Sequence, residues 1–134
     1  MDRPTTVERL KVELASAPPE LLAAYLYGST ARAEHTEASD IDLGLLYREE
    51  PPRTLASPPR RLEGRLELAL RRTVQVVVMN SAPPDLVRRV LRDGILCLDR
   101  DRSARIRFEV KAQNEYFDLL PYLRRYRAGG RAGA

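Results

Sequence analysis

Asp40 and Asp42 stand two apart in the run Ser39-Asp40-Ile41-Asp42-Leu43, and ten residues separate Ser29 from Asp40. On a strand, both carboxylates leave one face while Ile41 and Leu43 point to the other. Two carboxylates this close repel each other unless a cation sits between them. A hard, oxygen-binding cation such as Mg²⁺ suits the pair, usually with substrate phosphates completing its shell. Gly28-Ser29 falls where an apolar run ends and a helix can begin. Glycine allows close approach of the backbone to a ligand, and the N–H groups of a helix start, with the Ser29 hydroxyl, can bind phosphate oxygens. Arg32, one turn further on, can pair with a phosphate or a carboxylate. An Asp-x-Asp pair or a Gly-Ser turn alone says little. Their conjunction predicts a nucleoside triphosphate on Gly28, Ser29 and Arg32, with metal on Asp40 and Asp42.

These residues need strands and helices to position them. Leu21 to Tyr27 is short and apolar and reads as a buried strand, and Ile41 to Tyr47 reads as a second. Valine-rich Thr73 to Met79 is the third and Ile95 to Leu98 the fourth. Thr5-x-x-Glu8 reads as a capping box opening a first helix that runs to about Ala15. A short helix is expected from Ala31. Glu49 to Pro59 holds four prolines and reads as an exposed loop. Arg60 to Arg72 is expected to bury Leu62, Leu66 and Ala69. Pro83-Pro84 suits the first turn of a helix with Leu86, Val87, Val90 and Leu91 on its apolar face and Gly94 at its C-terminal cap. The last helix is expected to begin near Ser103 and to carry Ile106, Val110, Phe117 and Leu120 as its apolar residues. Pro121 should kink or end it. The order α-β-α-β-α-β-α-β-α predicts an α/β fold, a small mixed sheet of about four strands with helices packed on it. One domain over residues 1–127 and a disordered Gly-rich tail at 128–134 complete the expectation.

Bulk properties bound the function. The 134 residues suit one domain with a core of its own, and the charged fraction of 31% suits a globular class. No apolar run reaches transmembrane length, and Met1-Asp2-Arg3-Pro4 lacks an apolar signal core, so a cytoplasmic setting is expected. Cys97 is the single cysteine and reads as a packed or half-exposed thiol and not a nucleophile. The net charge of +4 is carried almost wholly by arginine, since Lys11 and Lys111 are the only lysines. The arginines are interleaved with acids, as on solvated faces, so direct nucleic-acid binding is not expected, even for Arg124, Arg125 and Arg127. His35 reads as a loop residue. Tyr116, Tyr122 and Tyr126 read as core or interface.

The Gly-Ser, ten residues, Asp-x-Asp pattern resembles the signature of the DNA polymerase β-like nucleotidyltransferase superfamily. The run Gly28-Ser29-Thr30-Ala31-Arg32 and Ser39-Asp40-Ile41-Asp42-Leu43 is similar to its minimal nucleotidyltransferase branch, antitoxins found beside HEPN-domain ribonuclease toxins. Phe108-Glu109 and Tyr116-Phe117-Asp118 resemble that branch less specifically. The resemblance implies Mg²⁺ on Asp40 and Asp42, ATP on Gly28-Ser29, a HEPN toxin as partner, and transfer of AMP to a tyrosine hydroxyl of that toxin. It leaves the choice between homo- and hetero-oligomer open.

Two residues depart from the pattern. Ala33 stands where the branch often has glycine, a mild change. More consequential is Gln75, at the position where the superfamily carries a third carboxylate. An amide is no general base and adds no charge for a second metal, and loss of general-base help costs about 10²–10⁴ in rate. Three readings follow: catalysis with one well-held metal, another acid (Asp85 or Glu67) reaching the site, or a domain that binds and catalyses little. At the level of function the alternatives are an AMP-transferring antitoxin, an MNT fold that neutralises its toxin by binding alone, and nucleotide transfer to a small molecule.

Overall fold

A computed structural model describes the chain at residues 3–28 and 40–132. The described elements are α1 (Arg3–Ala15), β1 (Leu21–Tyr27), β2 (Ile41–Tyr47), α2 (Pro58–Leu70), β3 (Val74–Val78), α3 (Pro84–Asp93), β4 (Ile95–Asp99) and α4 (Arg102–Ala132). The helix expected from Ala31 falls outside the described residues. The four strands form one mixed sheet in the order β3-β2-β1-β4. β1 runs antiparallel to both β2 and β4, and β2 runs parallel to β3. This is the α/β sheet with packed helices that the sequence predicts.

Alternation of side chains divides the core into two layers. Ile41, Leu43 and Leu45 of β2, with Val74 of β3, face α1 (Leu10, Leu14) and α2 (Leu62, Leu66, Leu70). On the other face, Tyr25 and Leu46 pack against Val87 and Val90 of α3 and Ala112 of α4. In α2 it is Leu70 that is buried, while Ala69 is only half-buried, so the inward stripe runs one residue beyond the expected one. Gly44 lies in mid-strand because α3 passes close over it: a Cβ there would come within 3.0 Å of Val90 Cγ1 and 2.9 Å of Met79 Sδ.

Side chains finish what the ladders leave open. Asn80 pairs with the backbone of Tyr47, which donates to its Oδ1 at 2.9 Å and accepts from its Nδ2 at 2.8 Å. The β3 edge is partly covered by Glu63, whose Oε2 accepts from Val76 N–H at 3.1 Å. Arg100 donates to the carbonyls of Ala17 (2.6 Å), Pro18 (2.6 Å), Ala15 (3.1 Å) and Leu21 (3.2 Å), so one guanidinium closes the C-terminal end of α1.

Three further expectations need correction, and the Gly94 cap holds. α1 begins at Arg3, so Thr5 lies inside the helix and is not its cap. Gly94 does cap α3, but with extended backbone (φ −78°), and its N–H bonds Val90 O. Glycine is needed there for space, since a Cβ would lie 2.4 Å from that same oxygen. α4 neither ends nor is interrupted at Pro121 but runs on to Ala132, past the point where the tail is expected to begin. Finally, Ile106, Val110 and Phe117 of α4 are 40–52% exposed. The helix packs inward through Ala104, Phe108 and Ala112 instead.

Candidate active site

The C-terminal end of β1 and the first residues of β2 and β3 meet at one end of the sheet. Tyr27 stands opposite Asp42, and Asp42 stands opposite Gln75. Directly opposed residues project to the same face, here the one carrying α3 and α4. Ile41 and Leu43, fully buried, point the other way and hold the strand in that register. Asp42 therefore leaves the face opposite Ile41 and Leu43, as alternation predicts, while Asp40 precedes the strand.

Asp42 is half-buried, and its carboxyl titrates above the ordinary carboxylate range, first because burial disfavours its charge and second because Asp40 lies close. Asp40 is exposed just before β2, and its Oδ2 accepts a hydrogen bond from Gln75 Nε2 at 3.1 Å. Gly28 has φ +75°, a left-handed conformation that favours glycine. A Cβ at position 28 would also lie 2.6 Å from Asp42 Oδ2. The group that presses on Gly28 is thus the Asp42 carboxylate, a reason for glycine that the sequence does not show. The structure brings together Gly28, Asp40, Asp42 and Gln75; Ser29, Arg32 and His35 lie outside the described residues.

Two residues at this end lack a role in the sequence reading. Tyr27 is half-buried, and its hydroxyl is pushed above the usual range by burial and by Asp42, with Arg89 of α3 acting in the opposite direction. Its position just before Gly28 and opposite Asp42 becomes informative only once the β1–β2 register is known. The spare acids do not join the site. Glu67 belongs to α2, on the opposite face of the sheet, and Asp85 lies in the first turn of α3, at the end away from Gly94. A cavity of about 350 Å³ between the 51–57 loop and β3 is lined by Arg53, Arg60, three hydroxyl residues and apolar side chains, and contains neither aspartate.

Two adjacent carboxylates, one of them partly desolvated, offer the hard oxygen donors that a divalent cation with phosphate ligands requires. No group of three His, Cys, Asp or Glu occurs among the described residues.

Residues 8–103 match the family described as Polymerase beta, Nucleotidyltransferase. The chain belongs to this nucleotidyltransferase family. Solved structures agree on the fold. A toxin–antitoxin structure with AMP-PNP is 24% identical over 96% of this chain and 98% of its own, with a TM-score of 0.75. A complex of tri-AMPylated Shewanella oneidensis HEPN toxin with MNT antitoxin is 22% identical over 98% of this chain and 99% of that one, with a TM-score of 0.72. A structure assigned to the minimal nucleotidyltransferases is 34% identical over 71% of this chain and 95% of its own, with a TM-score of 0.58. No curated protein matches the chain. Among the described residues no helix is long and apolar enough to cross a membrane.

Proposed function

We propose that this nucleotidyltransferase is an antitoxin that transfers AMP from ATP to a tyrosine of a partner HEPN ribonuclease toxin. The observation that carries the reading is the sheet end where Gly28 abuts the Asp42 carboxylate and Asp40 lies beside it. Asp40 and Asp42 would hold Mg²⁺, and Gly28, Ser29 and Arg32 would hold the triphosphate. When bound, the cation neutralises phosphate charge and orients the leaving group. The acceptor's phenolic oxygen attacks the α-phosphorus and a new P–O bond forms. The bond from that phosphorus to the α,β-bridging oxygen breaks, pyrophosphate departs, and the phenolic proton passes to solvent or to a base on the acceptor. The similar complexes support the choice of partner: one of them holds an AMPylated HEPN toxin, and another contains AMP-PNP. We assign this role to a single domain working in the cytoplasm.

A second reading, neutralisation by binding alone, is favoured by the amide at position 75 and by the exposed apolar side of α4. Ribonuclease activity of the toxin, measured after treatment with this chain, ATP and Mg²⁺ and then removal of the chain, separates the two. A toxin that stays silent supports AMP transfer. A toxin that recovers fully rules it out in favour of binding.

A further inference from the structure

We infer that Gln75 makes this a one-cation centre: its amide fastens Asp40 and occupies the position from which an anion would hold a second cation. The inference rests on the nucleotide-and-metal reading above and specifies its stoichiometry. Gln75 Nε2 lies 3.1 Å from Asp40 Oδ2. An ionised carboxylate only accepts hydrogen bonds, so the amide must turn its N–H toward Asp40. Its carbonyl oxygen, on the other arm of the planar group, is thereby directed away from that oxygen.

Along β3 the register offers no substitute. Gln75 is opposite Asp42 and so shares its face, and the rest of β3 is Val74, Val76, Val77 and Val78. With no third His, Cys, Asp or Glu beside the pair among the described residues, the described protein anions at the site are two. Two-metal centres hold their ions about 3.5–4 Å apart. Two divalent charges at that distance repel with four times the energy of two unit charges. A carboxylate at position 75 would offset that repulsion, and a neutral amide does not. The amide instead restrains the orientation of Asp40, the kind of support around a metal ligand whose loss typically weakens metal affinity about 10- to 100-fold. Gln75 is exposed, so it can be replaced without disturbing the core.

The test is a Mn²⁺ titration of the full chain, saturated with an ATP analogue that cannot be cleaved between the α- and β-phosphates. Bound cation is counted from the loss of the free-Mn²⁺ paramagnetic resonance signal, against a nucleotide-only control. Wild type should bind one Mn²⁺ per chain and Gln75→Glu two. Gln75→Leu should bind one, about tenfold more weakly. Two ions in wild type, one in Gln75→Glu, or unchanged affinity in Gln75→Leu each overturn the inference while leaving the nucleotide-and-metal reading in place. Absence of protein-bound Mn²⁺ in wild type overturns that reading itself, and the inference with it.

Discussion

At the scale of single residues, Gly28 and Asp42 constrain each other. Any side chain at position 28 meets both a left-handed backbone and the Asp42 carboxylate 2.6 Å from its Cβ. Gly28→Ala should therefore cost about 1–2 kcal/mol from the backbone alone and displace Asp42, with nucleotide affinity falling more than thermal stability; calorimetric titration beside a melting curve checks this. Asp42 also sets a pH dependence. Burial and Asp40 raise its folded pKa above the unfolded value, so its stabilising contribution is complete below the unfolded pKa and is lost as pH rises through the folded one. Asp42→Asn cannot ionise. In the metal-free protein, the melting temperature of the variant relative to wild type should climb as pH rises above the ordinary carboxylate range of about 4, and a flat difference would contradict the assignment. The pair was legible from spacing because strand alternation is local. The reason for Gly28 was not, because it depends on a contact between strands.

The elements show where local patterns suffice. Strand existence followed from short apolar runs bounded by Pro and Gly, and all four expected strands occur within about one residue of their predicted ends. α4 shows the opposite. Its sequence offers two stripes, Ile106-Val110-Phe117 and Ala104-Phe108-Ala112, and periodicity cannot say which one meets the sheet. The stripe of Ala104, Phe108 and Ala112 is the one that meets the Tyr25 face. Pro121 is tolerated within α4 on an exposed side, where the carbonyl it frees can turn to water. Arg100 was hidden for a similar reason: its carbonyl partners near the end of α1 lie more than seventy-five positions away. Arg100→Ala should lower unfolding free energy by about 2 kcal/mol in urea denaturation, through loss of this cap, without changing nucleotide affinity.

For the whole molecule, the layout separates two surfaces. Gly28, Asp40, Asp42 and Gln75 gather at one end of the sheet. The outward stripe of α4 presents Ile106, Val110 and Phe117 to solvent, and under the proposed antitoxin function it is an apolar face open to the toxin. The double variant Ile106→Glu/Val110→Glu should keep its melting temperature, because exposed substitutions change stability by about 0.5 kcal/mol or less. It should nevertheless lose more than tenfold in toxin affinity by surface plasmon resonance. The fold class and the carboxylate pair could be read from the sequence; the placement of Gln75 against Asp40 and the free side of α4 required the tertiary structure.

The central claim is chemical transfer at the Asp40–Asp42 site. Intact-mass spectrometry of the co-purified toxin after incubation with ATP and Mg²⁺, beside an Asp40→Asn/Asp42→Asn control, tests it most directly. AMP-sized increments are expected on the toxin, mapping to tyrosine and absent from the control. A stable complex with a silenced toxin and no increment would contradict it.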